Sequence, residues 1–378
     1  MSESELSTIL VTGATGFVGG ALALQYLLDT DARVYCLVRE NSVGAAQSRI
    51  EAALKVAARA YGQSDLDFAI GDRVRAVVGD VGSSHGDYEG LPVSLDLVVH
   101  AAASLKYADQ DVDEIKAINV AGTANIVRLA QATTARLCHV STAYVAGKRH
   151  GEVSETLPLP DPGDSNNEYE RSKVAGEKIV AASQLDYQIV RPSIVIGHSE
   201  TRGATSFSGM YGMLDQLLRF KSRVGDRLGS LLQHRGLALL AEPDTELNLI
   251  PIDYVARAIA RISRAQTSET VFHVVNGTPP TAATCLNAGF DLLDLPQPRF
   301  VSKPTQLSEL DRRLQTDFYE VYLRNGKTFL TDNAEKICGR EAFEFCIDEH
   351  TTRQFLSWYM DSGVKRGERL VDSTLPLA

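Results

Sequence analysis

Apolar residues along this chain recur as short continuous runs separated by longer stretches with helical spacing. Ile9-Leu10-Val11 predicts a buried strand, and Ala21 to Leu28 an apolar helix behind it. Arg33 to Arg39 predicts a second strand and the alanine-rich stretch Val43 to Tyr61 a second helix. Further strands are expected at Val74–Val81, Leu95–His100, Ala135–Val140 and Gln188–Gly197. Helical patterns fall between them, across Asn119 to Thr123 and from Tyr169 to Ala182. Leu247 onward predicts a strand, then a helix to Ser263 capped by Asp253. Thr270 to Val275 predicts a last strand. This alternation predicts an α/β fold, a doubly wound parallel sheet with helices on both faces.

The pattern changes twice. Gly203 to Gly212 is small and polar with aromatic insertions, followed by a predicted helix at Met213–Phe220. From Thr281 the pattern is mostly helical, at Thr305–Tyr322, Asn333–Cys338 and Thr351–Met360. The expected organisation is a dinucleotide-binding domain over residues 1–197, to which 248–276 return. A smaller, mostly helical C-terminal substrate lobe takes 198–247 and 277–378.

The bend after the first strand carries the first chemical signal. Thr12-Gly13-Ala14-Thr15-Gly16-Phe17-Val18-Gly19 places three glycines three apart between a strand and a helix. Gly13 suits a sharp turn, Gly16 close approach of backbone to a pyrophosphate, and Gly19 tight packing of the helix. The helix start would aim N–H groups at the phosphates.

Bulk composition narrows the partners. The chain has 378 residues, 44% hydrophobic and 23% charged, with a net charge of -10. No long basic run exists, which argues against nucleic acid. No stretch reaches the roughly 20 apolar residues of a membrane span, and the polar start lacks the core of a signal peptide. Five unpatterned cysteines are expected to be reduced thiols in a cytoplasmic protein. With no Cys-x-x-Cys and no His-Glu-x-x-His, no metal site is expected.

Four places are candidates for ligand contact. Arg39 ends the second strand, where a carboxylate would meet a ribose 2′-hydroxyl and an arginine a 2′-phosphate. It reads either as a selector of NADPH or as a solvated strand-end residue, with Glu40 beside it. Asp80 and Val81 read as adenine contacts, Asp80 equally as a plain turn residue. Ala101-Ala102-Ala103 would let backbone lie along the cofactor. Ser141 and Thr142 place hydroxyls at a strand's C-terminal end, facing the crevice where open parallel sheets bind ligands.

Tyr169 and Lys173 are four apart and share one helix face. A phenol titrates near ~10, and a neighbouring ammonium would make it a usable acid near neutral pH. Asn119 reads as a buried tie between neighbouring strands rather than part of a proton relay. The loop Gly151–Asn167 has room for a flap. Arg219, Lys221, Arg223 and Arg227 form a basic cluster, either a solvated face or a patch steering an acidic carrier or phosphopantetheine. Phe318, Tyr319, Tyr322 and Leu323 are core aromatics and neighbours or the lining of an acyl tunnel.

Taken in order, the glycine turn, Asp80, His100 to Ala103, Asn119, Ser141-Thr142, Tyr169 to Lys173 and Arg191-Pro192-Ser193 resemble the extended short-chain dehydrogenase/reductases. Val140 to Val145, Arg191 to Gly197 and Asn248 to Tyr254 are similar to the fatty acyl-CoA reductase (male-sterility) and thioester-reductase branch. The resemblance implies a Rossmann fold and NADPH-dependent reduction of an acyl thioester to an aldehyde, in some members on to an alcohol. It implies Tyr169 as proton donor, Lys173 as its activator and ribose contact, and Thr142 as the hydroxyl holding the substrate oxygen. It extends the cofactor contacts to Thr15, Phe17, Val18, Pro192, Ser193 and Ile194. No adenylation or carrier domain is legible, so the acyl group is expected on free coenzyme A or a separate carrier protein. The rival readings are a hydroxysteroid-type or ketone dehydrogenase, a nucleotide-sugar epimerase or dehydratase, and a cofactor-sensing regulator.

Overall fold

In the computed structural model, residues 6–83, 88–107, 109–157, 162–234, 236–314 and 317–362 are described, with backbone alone for 109, 162, 223–234 and 317–319. Seven strands form one sheet: β1 (Thr8–Thr12), β2 (Arg33–Val38), β3 (Val74–Val78), β4 (Leu97–His100), β5 (Arg136–Val140), β6 (Tyr187–Pro192) and β7 (Val271–Val274). Their order is β3-β2-β1-β4-β5-β6-β7, and every pairing is parallel. The strand order therefore reverses between β1 and β4, where a crevice opens at the strands' C-terminal ends. The expected doubly wound parallel sheet is the observed one.

The main helices are α1 (Phe17–Asp29), α2 (Val43–Ala60), α3 (Gly122–Ala132), α4 (Glu168–Ala181), α5 (Met210–His234), α6 (Ile252–Arg264), α7 (Ala282–Leu292) and α8 (Glu349–Asp361). One apolar core lies between α1, α2, α6 and the sheet, and contains Leu22, Ile50, Ile259 and Phe272. A second, on the opposite face, joins Leu10 and Val98 to Ile126 and Val180. A third is separate from the sheet and gathers Leu214, Leu217, Cys285, Phe290 and Phe355 from α5, α7 and α8.

Several predicted boundaries move. β3 stops at Val78, because Gly79 donates to the Val38 carbonyl and Val78 exchanges both backbone hydrogen bonds with Glu89. Asp80 and Val81 thus lie past the strand. The predicted strand Gln188–Gly197 is two: β6 ends at Pro192, and Ile194–Ile196 pairs with Leu249–Pro251 outside the main sheet. α1 begins at Phe17, and α5 runs well beyond Phe220 at both ends. The predicted helix Thr305–Tyr322 divides into Glu309–Leu314 and Asp317–Arg324. Pro251, not Asp253, precedes α6. Asp253 instead accepts from the Ser199 backbone and hydroxyl and pairs with Arg257. Within the expected flap, Gly151–Val153 is a short strand paired with Lys327–Phe329.

Candidate active site

The chain leaves β1 through Gly13, whose φ of +72° an L side chain rarely adopts. A Cβ there would stand 2.8 Å from the Ala102 backbone, so the turn lies directly on the alanine segment after β4. Thr12 secures this contact: its hydroxyl bonds the His100 ring at 2.8 Å and accepts from the Ala102 N–H. Gly16 caps α1, has no side chain to do so, and no acidic residue follows in the first turn. A bare helix start with no carboxylate nearby is a place for an anion.

α4 is fixed from two sides. Asn167 caps it, accepting from the Glu170 N–H at 2.9 Å. Deeper, Glu177 receives two hydrogen bonds from Arg191 of β6, at 3.0 and 2.7 Å, with both side chains buried. Tyr169, Lys173 and Glu177 are successive fourth residues on the inward face. The Lys173 ammonium donates to the Val140 carbonyl at the tip of β5, 2.7 Å away. Burial pushes Lys173 down to about 8, against the pull of Glu177. Below it, burial and the Lys173 charge push His100 down to about 3 and hold His139 well below its usual range.

The structure brings the candidates together. Gly13, Thr15, Gly16, Phe17, Val18, Gly19, Arg39, Asp80, Val81, Ala101, Ala102, Ala103, Ser141, Thr142, Tyr169, Lys173, Pro192, Ser193 and Ile194 all line one cavity of about 460 Å³. It runs from β2 across the switch point to α4, and then between the sheet and α5. Thr142 accepts from the Tyr144 N–H at the start of a short turn. The Ser141 and Ser193 hydroxyls are buried with no hydrogen-bond partner among the described residues, on the cavity wall. Asp80 accepts from the Gly82 N–H at 2.9 Å, so it does hold a turn as well.

Some expectations do not carry over. Lys173 does not lower the Tyr169 phenol here: burial, then the Glu170 charge, hold it above its ordinary range. Asn119 is not on the cavity. Its amide joins Ser104 backbone N–H and C=O to the Ser172 hydroxyl, a buried structural tie as expected, but from the segment after β4 to α4 and not between neighbouring strands. Lys221 turns its ammonium to the Leu293 carbonyl, while the Arg223 and Arg227 side chains lie outside the described residues, as do Phe318 and Tyr319.

Sequence reasoning missed Arg49, which lines the cavity from α2 beside Arg39. It donates to the Arg39 carbonyl at 3.0 Å and pairs with Glu40 at 3.2 Å. It also missed Tyr144, Met213, Leu249 and Cys285, which line the deeper half with Tyr322 and Leu323. Tyr144 and Leu249 lie within Val140 to Val145 and Asn248 to Tyr254, the stretches that carry the resemblance, while no motif marks Met213 or Cys285. No three or more His, Cys, Asp or Glu side chains group as a metal site among the described residues, and no described helix is long and apolar enough to cross a membrane.

The glycine turn pressed against the alanine segment, the uncapped helix start and the hydroxyl-lined crevice fit a dinucleotide. Together with the strand order they define an extended short-chain dehydrogenase/reductase, an NAD(P)-dependent oxidoreductase. The family described as male sterility protein matches residues 11–259, and the chain belongs to it. Among curated relatives, a linear gramicidin synthase of Brevibacillus parabrevis is 28% identical over 310 residues, 76% of this chain. Carboxylic acid reductase of Mycobacterium tuberculosis is 28% identical over 300 residues, 72% of this chain. The chain spans only 6% of the first and 25% of the second. The terminal R domain of the myxalamid PKS-NRPS pathway superposes with TM-score 0.73 at 26% identity, over 97% of this chain and 93% of that one. A thiolation-reductase di-domain of an archaeal non-ribosomal peptide synthetase gives 0.70 at 20% identity, over 96% and 76%. At that identity it bears on the fold alone.

Proposed function

We propose that this chain reduces an acyl thioester, presented on a phosphopantetheine arm, to an aldehyde with NADPH. The observation that carries the reading is the convergence of Thr142, Tyr169 and Lys173 on the cavity whose other end holds the glycine turn. The similar proteins support the thioester class, since one is named for carboxylic acid reduction and another is the terminal R domain of a PKS-NRPS biosynthetic pathway.

Gly13 to Gly19 would hold the pyrophosphate, Arg39 and Arg49 the 2′-phosphate, and Lys173 the nicotinamide ribose. Glu40, next to Arg39 in the chain, is engaged by Arg49. When bound, the reduced nicotinamide supplies a hydride to the carbonyl carbon. Thr142 and Tyr169 offer hydroxyls to the carbonyl oxygen as charge builds there; one such donor is worth ~3–4 kcal/mol. Tyr169 then gives its proton to that oxygen. The resulting hemithioacetal loses thiol to leave the aldehyde.

The test is NADPH consumption with an acyl-pantetheine thioester beside a panel of ketones and secondary alcohols. Trapped aldehyde and free thiol in equal amounts are expected. Turnover confined to the ketones would instead make the chain a ketone dehydrogenase.

A further inference from the structure

Tyr322 lies on the short helix Asp317–Arg324, 152 residues from Glu170 in sequence, yet its hydroxyl donates to that carboxylate at 2.7 Å. The same oxygen accepts from the Asn167 side chain at 3.1 Å. Its ring stands edge-on to Tyr144, centroids 5.1 Å apart. We propose that Tyr322 is a positioning residue for the reduction: it clamps the C-terminal segment onto both elements that carry the reacting hydroxyls. The proposal rests on the thioester-reductase reading of the site.

Each contact leads to the chemistry by one further bond. Asn167 is the cap of α4, and Glu170 follows Tyr169 directly. Tyr144 donates its N–H to Thr142. Tyr322 thus touches the neighbours of both Tyr169 and Thr142, and it lines the cavity itself. A packing aromatic would need only its ring. Here the hydroxyl lies between a donor and an acceptor, and the acceptor is a carboxylate with no exposed surface. Besides Tyr322, Glu170 is held by the Asn166 backbone and amide, and Lys327, Tyr144 and Tyr169 are the titratable groups around it. A helix start held this way keeps Tyr169 in one place only while residues 317–324 are docked.

Tyr322→Phe keeps the ring and removes the hydroxyl. With acyl-pantetheine thioester, kcat should fall about tenfold or more while the KM for NADPH stays within about twofold, because the loss is one of placement. Hydrogen exchange of the full chain should show the Glu170 and Arg171 amides, which bond Asn167, exchanging faster, with β1 to β7 unchanged. Wild-type kcat and wild-type exchange in this variant would overturn the clamp. Glu170→Gln adds a second reading: removing the charge beside Tyr169 should move the alkaline limb of kcat to lower pH. An unmoved limb would overturn the link from the clamp to Tyr169. If the wild-type chain turns over no thioester, the functional reading falls, and the exchange experiment still decides whether Tyr322 orders α4.

Discussion

The Lys173 ammonium is hydrogen-bonded to the Val140 carbonyl, 2.7 Å away, so the inner face of α4 is tied to the tip of β5 by a buried charge. Burial leaves that ammonium easier to deprotonate in the folded chain, at about 8 against 10.5. The unfolded chain therefore holds this proton through a window in which the folded chain has released it. Stability should rise with pH between those values, by on the order of 3 kcal/mol from this group. Lys173→Met should flatten that rise, and urea unfolding from pH 7.5 to 10.5 measures it. Parallel profiles for variant and wild type would mean that the lysine is not held as described.

Tyr169 is half-buried on the same face and borders the cavity that Thr142 also lines. On the proposed mechanism, Tyr169→Phe removes both a donor to the developing oxyanion and the proton that ends on it. Turnover should drop by about 10² or more, while NADPH affinity, read by fluorescence titration, stays near wild type. Retained turnover would remove Tyr169 from the mechanism.

The strands were legible because each is a short apolar run between turn residues, and seven of the predicted runs form the parallel sheet. Their ends were not, because non-local bonds decide them. Val78 stops β3 by bonding Glu89, and Pro192, with no N–H, is where the chain leaves β6 for a different partner at Leu249–Pro251. The placement of the candidates was legible where a local motif sets it, as at Gly13 to Gly19 and at Tyr169 and Lys173, which line one cavity. Arg49 escaped, and Tyr322 was legible only as core or cavity lining and not as a partner of Glu170, because they come from α2 and from the distant C-terminal segment, and only folding sets them beside Arg39 and Glu170. The expected lowering of the Tyr169 phenol failed for a related reason. Helix spacing brings Lys173 near, but the depth of burial and the neighbouring Glu170 charge decide the sign.

Arg39 and Arg49 border the cavity together at the end of β2, and Arg49 also pairs with Glu40. Arg39→Ala should raise the KM for NADPH about tenfold or more, the worth of a charge-assisted hydrogen bond, and leave NADH nearly unchanged. Arg49→Ala should do at least as much, since it also frees the Glu40 carboxylate to repel a 2′-phosphate. Steady-state kinetics with both cofactors decides this, and an equal loss for NADH and NADPH would reject phosphate selection.

Gly19 tests the turn itself. An added Cβ would stand 2.3 Å from the Gly13 carbonyl oxygen, which is backbone and cannot rotate away. Gly19→Ala must therefore push α1 off the turn and spoil the bend that would receive the pyrophosphate. The expected cost is about 1–3 kcal/mol in stability, as for other overpacked sites, with NADPH binding weakened in parallel. Gly44, in the first turn of α2, is the internal control: nothing lies within 4 Å of a Cβ there. Gly44→Ala should be neutral or stabilising by up to about 1 kcal/mol, from helix propensity alone. Chemical denaturation and cofactor titration of the two variants side by side give the contrast. Equal behaviour would show that the α1 contact is not what holds the turn.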